Sequence, residues 1–473
     1  MLFSSPIFLF AFLPIVLIGY YTVFRNCRNG FLLFMSVLFY AYGEPKFVFV
    51  MLASIGANWA FALAIGYLRE RKPQYAKLML WLMVAANCTL FFVFKYLNFA
   101  VSQIDRLFAD LLPHTSFVLP IGISFFTFQA MSYVIDVYRG RVPARKNPLD
   151  IALYISLFPQ LIAGPIVRYE TVAGEIDQRK VTIDDFSDGI TRFVIGLGKK
   201  LLIANSMATI ADTMFDASQS GTELGAFAAW LGAVAYSFQI LFDFSGYSDM
   251  AIGLGKMLGF HFLENFNYPY IATTVTEFWR RWHISLGTWF RDYVYFPLGG
   301  SRVSSSKRLV INLLVVWTLT GIWHGASWNF IGWGLMYFIV LTFEKVLEIP
   351  QKLANAKNRL LPQLYRMFTL LVVLGEWVLF RALGVRNAVR YGLELFNFTG
   401  GTQGSYALWM LKENWMIFVL AILCSTPLFK KLFFETKITL VRAARYIAVL
   451  LILIVCASWA VSGTYDPFIY FNF

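Results

Sequence analysis

Long apolar runs separated by clusters of Lys and Arg constrain this chain more than any other feature. Residues 5–24, 47–67, 79–97 and 118–137 each come close to the ~20 residues a helix needs to cross a bilayer. A shorter run, 31–42, ends at Gly43-Glu44-Pro45-Lys46. Arg25 and Arg28 follow the first run, Arg69, Arg71 and Lys72 the third, and Arg139, Arg141, Arg145 and Lys146 the fifth. Lys and Arg mark cytoplasmic loops. The alternation therefore places the N-terminus outside and agrees with itself over five crossings. Residues 98–117, which carry Asp105, Arg106 and Asp110, are expected as a helix on the outer surface. The N-terminus lacks the basic n-region and cleavage site of a signal peptide.

The C-terminal third follows the same logic. Lys352, Lys357, Arg359 and Arg366 belong inside, 367–383 goes out, and 414–429 comes in. Lys430, Lys431, Lys437, Arg442 and Arg445 are inside again, 446–462 leaves, and the tail 462–473 ends outside. This predicts an all-α integral membrane protein with about ten crossings, built as one polytopic domain over 1–473.

Composition closes the alternatives. Hydrophobic residues make up 58% and charged residues 14%, against ~45–50% and ~25% for a soluble domain. A soluble enzyme, a disordered chain and a coiled coil are excluded. The net charge of +13 is accounted for by the cytoplasmic loops, and no basic stripe points to nucleic acid. Cys27, Cys88, Cys424 and Cys456 show no metal-ligand spacing and read as small hydrophobes. No metal site and no permanently bound cofactor is expected.

The middle, 149–347, is less regular. Apolar segments at 149–167, 187–213, 224–242, 308–323 and 326–347 are broken by polar stretches. Such breaks survive at membrane depth only where protein or a water-filled cavity surrounds them. Residues 277–292 hold five formal charges, Glu277, Arg280, Arg281, Arg291 and Asp292. Placing them at the lipid centre would cost about 12–18 kcal/mol. The stretch is therefore expected as an interfacial helix or one dipping into a protein cavity, with Trp279, His283 and Leu286 on one face. Snorkelling arginines on an amphipathic interfacial helix and a functional site explain it about equally.

Thr320-Gly321-Ile322-Trp323-His324-Gly325-Ala326 sets one imidazole between two apolar runs. Ionisable residues inside a membrane are functional candidates by default. The alternative is a histidine bonded to a neighbouring helix. His114 and His261 read as structural. Asp243 and Asp249 stand at the end of an apolar helix, where either would orient a histidine, hold a proton or cap the next segment. Pro120-Ile121-Gly122 and Ala163-Gly164-Pro165 mark helix breaks.

Several of these stretches together resemble the membrane-bound O-acyltransferase family, and within it the AlgI-like polysaccharide branch. They are Leu119 to Gln129, Phe158 to Ile166, Asp243 to Asp249, Glu277 to Arg302 ending in Pro297-Leu298-Gly299-Gly300-Ser301-Arg302, and Trp323-His324-Gly325. The resemblance implies a helical bundle with a central tunnel or opposed funnels, a catalytic middle over 117–347, His324 as principal active-site residue and His283 as the second. It implies a thioester donor, acetyl-coenzyme A, arriving from the cytoplasm. Histidine suits the base that acyl transfer to a hydroxyl requires. Arg280, Arg281, Arg291 and Arg302 are candidates for the coenzyme A phosphates, with phospholipid headgroups as the competing account.

Asp466-Pro467-Phe468-Ile469-Tyr470-Phe471-Asn472-Phe473 resembles the terminal aromatic motif of such acyltransferases. By that match Tyr470 accepts the acyl group. An interfacial aromatic anchor is the competing account. The expectation is a multi-pass bacterial inner-membrane enzyme that passes acetyl outward for O-acetylation of a cell-surface polysaccharide. A separate extracytoplasmic partner of the SGNH or serine acetyltransferase type completes the reaction. The alternatives are D-alanyl transfer to teichoic acid and a transporter of polymer or acyl donor.

Overall fold

The computed structural model describes residues 1–108, 113, 115–303, 305–433, 439–463 and 469, with the backbone alone at 433 and 439–443. Every regular element among them is helical. In chain order they are α1 (Phe8–Val23), α2 (Arg28–Gly43), α3 (Phe47–Arg71), α4 (Pro73–Phe108), α5 (Ile123–Arg139), α6 (Pro148–Ser156), α7 (Phe158–Leu161), α8 (Tyr169–Asp177), α9 (Ile183–Gln219) and α10 (Ala226–Leu258). After these come α11 (Val275–Arg281), α12 (Ile284–Phe290), α13 (Ser306–His324), α14 (Trp328–Val346), α15 (Ile349–Ala354), α16 (Leu360–Arg381), α17 (Val385–Glu394), α18 (Gly404–Cys424), α19 (Leu428–Phe433) and α20 (Thr439–Val461). Among the described residues 7 helices are long and apolar enough to span a membrane: α3, α4, α9, α10, α16, α18 and α20. Their surroundings differ. In α9 and α10, 72% of the apolar window is buried inside the protein, against 6% in α20. The apolar surface of α20 is thus left for lipid, whereas α9 and α10 are covered by protein.

Several expected segments take a different form. Residues 98–117 do not make a separate surface helix, because α4 runs on to Phe108 through a π-helical turn at Phe92–Tyr96. No Gly or Pro in 92–108 would stop it. The apolar segment at 149–167 forms the short pair α6 and α7. Pro159 lacks an amide hydrogen, and its ring would strike the carbonyl of Ile155 in a continuous helix. The segment 224–242 does not end at the carboxylates. It continues as α10 for 33 residues, so Asp243 and Asp249 lie mid-helix and cap nothing.

The chain forms two compact units, Met1–Phe193 with Tyr247–Leu263, and Val194–Gly246 with Glu264–Phe473. In the first, α3 and α4 are tied by reciprocal amide bonds. Asn58 Nδ2 donates to Asn87 Oδ1 at 3.1 Å, and Asn87 Nδ2 returns a bond to Asn58 Oδ1 at 2.9 Å. Each amide satisfies the other where water is scarce. Helices α9 and α10 cross here backbone to backbone. A Cβ at Gly189 would lie 2.7 Å from the Gly253 carbonyl oxygen, and one at Gly253 2.6 Å from that of Gly189. Beside this crossing Arg192 Nη2 meets Asp249 Oδ1 at 2.7 Å.

In the second unit a large core gathers residues of α9, α10, α11, α13, α14, α16, α17 and α18 around Trp333, Trp377, Tyr337 and Tyr236. Helix α11 is fixed at its start by two carboxylates. Thr274 Oγ1 accepts from the Glu277 N–H at 3.1 Å, and Glu277 Oε2 reaches back to the Thr273 N–H at 2.8 Å, a variant of the capping box. Fully buried Glu344 of α14 accepts from the N–H groups of Val275 at 2.8 Å and Thr276 at 2.7 Å. A carboxylate against the unsatisfied amides of a helix N-terminus is favourable. This places the Trp279–His283 stretch against α14.

Candidate active site

Local sequence brings His324 to the C-terminal end of α13, where a three-residue link turns the chain into α14. Glycines let these two helices touch. A Cβ at Gly321 would lie 2.5 Å from the Phe330 carbonyl oxygen, and one at Gly334 2.4 Å from that of Trp317. His324 is 3% exposed. Its ring lies edge-on to Trp323 at 4.9 Å, Trp333 at 4.8 Å and Phe380 at 5.2 Å between centroids.

His283 reaches the same neighbourhood by another route. The 277–292 stretch is not one helix. It breaks at His283, whose backbone is left-handed (φ 44°, ψ 53°), into α11 and α12. Trp279, His283 and Leu286 therefore do not share a helical face. A non-glycine residue in this conformation needs support from its surroundings. Asn265 supplies it. Its carbonyl accepts the Ile284 N–H at 2.9 Å, and its Oδ1 accepts from the Ser285 N–H at 3.1 Å and Ser285 Oγ at 2.9 Å. The same Oδ1 faces His283 Nδ1 at 3.3 Å. Because the Ser285 backbone N–H can only donate, it identifies that atom as oxygen, so Nδ1 carries the ring proton and Nε2 is left as the basic nitrogen. The His283 ring packs edge-on against Phe244 at 4.6 Å and meets Trp323 at 5.9 Å. Trp323 thus contacts both imidazoles.

An aromatic floor extends from His324. Trp333 packs on Trp279 at 5.6 Å and Tyr337 at 5.2 Å, and Trp279 on Tyr337 at 4.9 Å. Four buried polar atoms in this region have no hydrogen-bond partner among the described residues: Trp279 Nε1, Trp333 Nε1, Tyr337 Oη and Glu376 Oε2. Glu376 of α16 is 4% exposed and within electrostatic reach of Tyr337. It stands four residues before Phe380, which touches His324. Buried polar atoms are almost always satisfied, since each orphan costs ~1–3 kcal/mol. Of these four residues Trp333 lies against the imidazole, and unpartnered donors of this kind are available to a polar guest.

The other sequence candidates separate. Arg281 is committed to Glu277 at 2.8 Å and to the Asn267 carbonyl at 3.1 Å. Arg291 pairs with its neighbour Asp292 at 2.8 Å. Arg280 and Arg302 are exposed. The four arginines share no partner among the described residues. His261 is held by Glu175 at 2.7 Å. His114 and Tyr470 lie outside the described residues. Asp243 pairs with Lys200 at 2.8 Å, and both side chains are at most 3% exposed. Sequence reasoning missed Lys200, Glu376, Asn265 and the Trp279–Trp333–Tyr337 floor. The first two carried a usable signal, an ionisable group inside an apolar run.

Residues 79–382 match the model of the membrane-bound O-acyltransferase family. The chain is 44% identical over 402 residues to a probable alginate O-acetylase AlgI of Azotobacter vinelandii, covering 84% of this chain and 78% of that one. It is 36% identical to a peptidoglycan O-acetyltransferase of Helicobacter pylori, covering 82% and 79%. With a teichoic acid D-alanyltransferase of Bacillus subtilis identity falls to 29%, covering 61% of this chain and 74% of the other. The chain belongs to the membrane-bound O-acyltransferase family and is a multi-pass membrane O-acyltransferase.

Proposed function

We propose that this protein is a bacterial inner-membrane O-acetyltransferase. It takes acetyl from cytoplasmic acetyl-coenzyme A and passes it outward for O-acetylation of a cell-surface polysaccharide. The observation that carries the reading is His324. It is a buried imidazole caged by Trp323, Trp333 and Phe380, with four orphaned polar atoms nearby. The relatives named for alginate and peptidoglycan O-acetylation support acetyl as the group and a glycan as its destination.

In this reading His324 takes the proton of an attacking hydroxyl as its oxygen bonds the thioester carbonyl carbon. The carbon–sulfur bond then breaks, and the coenzyme leaves as a thiol after taking up a proton. Indole N–H and phenol O–H groups beside the ring are donors of the kind that stabilise a developing oxyanion. His283, with its basic Nε2, is the second site histidine. Exposed Arg280 and Arg302 are the arginines best left for coenzyme A phosphates, since Arg281 and Arg291 already hold carboxylates. Tyr470 is the first acceptor, and its acetyl ester is handed to an extracytoplasmic serine acetyltransferase-like partner. The N-terminus and the tail face the extracytoplasmic side.

The test uses membranes supplied with acetyl-coenzyme A labelled in the acetyl group. His324→Ala is expected to lower label transfer to the chain or surface polymer by about 10²–10⁴-fold with normal membrane insertion. Transfer at the wild-type rate in that variant overturns the reading. A D-alanyl donor that labels the chain while acetyl-coenzyme A does not would replace it with D-alanyl transfer.

A further inference from the structure

We propose that Lys200 and Asp243 form a buried clamp that seats Ile469 in the core of the second unit, as positioning residues for the segment around it. Lys200 lies in a π-helical turn of α9, Lys199–Ala204, a distortion common at functional positions. Its Nζ meets Asp243 Oδ1 at 2.8 Å and donates to Asn205 Oδ1 at 3.0 Å. The other carboxylate oxygen, Asp243 Oδ2, accepts the backbone N–H of Ile469 at 2.9 Å. Ile469 is 8% exposed and belongs to the apolar core. A residue 226 positions further along the chain is therefore held by its backbone to the middle of α10.

The chemistry explains why an ion pair occupies this place. A sealed pair contributes little to stability that apolar residues of the same size would not. Holding a backbone amide is another matter. A carboxylate accepts from two directions, so one oxygen can face the ammonium while the other takes an amide hydrogen. Asp243 thus meets Lys200 through one oxygen and the Ile469 N–H through the other. The anchor also adjoins the histidines. Phe244, the next residue after Asp243, lies edge-on to the His283 ring at 4.6 Å. Ile469 immediately precedes Tyr470 in sequence. The value of the clamp to catalysis rests on the Tyr470 reading above. The seat itself does not.

Two measurements test the clamp in the full chain. For the first, the four native cysteines are replaced by alanine and a single cysteine is placed by Ile469→Cys, which keeps the amide hydrogen. N-ethylmaleimide is expected to label it about tenfold faster when Lys200→Met and Asp243→Leu are combined, a pair that strands no charge. An unchanged labelling rate in the folded double variant overturns the clamp. For the second, Ile469→Pro and Ile469→Ala both give up the isoleucine side chain, but only proline also removes the donated hydrogen and fixes the backbone. Transfer from labelled acetyl-coenzyme A is expected to fall about tenfold further in the proline variant than in the alanine variant. Equal losses overturn the clamp's value to catalysis, while the labelling rate alone decides the seat. If labelling accelerates as expected while Tyr470→Phe transfers acetyl normally, the seat is upheld and the tyrosine relay is the reading that fails.

Discussion

The two histidines meet one tryptophan, yet they are held in opposite ways. His324 ends a regular helix, and its position follows from local sequence: an apolar run, a glycine-lined contact with α14 and a short turn. His283 sits in a left-handed kink that its own neighbours do not favour, and Asn265 holds it from 18 residues away. A local histidine tolerates change in distant loops. A remotely held one transmits such changes directly to its ring. In the proposed mechanism the contrast leaves the chemistry to His324, with the His283–Asn265 pair as an adjustable support beside it.

The largest expected effect separates the rings themselves. His324→Gln keeps bulk and polarity but removes the base, and acetyl transfer should fall about 10²–10⁴-fold. His283→Gln should fall about tenfold in the same assay. Equal losses would erase the contrast and make both histidines part of one proton path. Next comes Asn265→Leu, which removes the acceptor that the Ser285 N–H, Ser285 Oγ and His283 ring share. Each orphan costs about 1–3 kcal/mol, so detergent-purified protein should melt earlier and transfer less. Asn265→Asp, which keeps an acceptor in place, should recover much of both. Gly321→Ala forces a Cβ to within 2.5 Å of the Phe330 carbonyl oxygen and should destabilise by about 1–3 kcal/mol. Its thermal shift tests whether His324 depends on the helix contact. The smallest effect is a stability difference at the kink. His283→Gly should melt later than His283→Ala, reflecting the ~1 kcal/mol that a side chain pays in left-handed backbone. If alanine is the more stable, the kink is not held against its own preference.

The membrane class and His324 were legible because both depend on contrast with a uniform background. Charge in an apolar run is visible without any partner. The same signal marks Lys200, Glu344 and Glu376, and a reading guided by imidazole chemistry passes over them. The kink at His283 was not legible, since a helical spacing of Trp279, His283 and Leu286 looks regular until Asn265 is brought to it by the fold. Helix ends misled for a related reason. Asp243 and Asp249 resemble a terminus in sequence, but Lys200 and Arg192 neutralise them and the helix continues. Pro159 was a readable break in 149–167, whereas the continuation of α4 to Phe108 depends on nothing stopping it.

The contact between Gly321 and the Phe330 carbonyl has a bearing on what this scaffold can become. With two main chains pressed together beside the imidazole, drawing the helices apart would give up that contact. The surrounding rings of Trp323, Trp333 and Phe380 are the walls that can change without it. Widening the repertoire toward longer acyl groups is then a matter of whittling indole and phenyl groups, with the skeleton behaving as a fixed ruler.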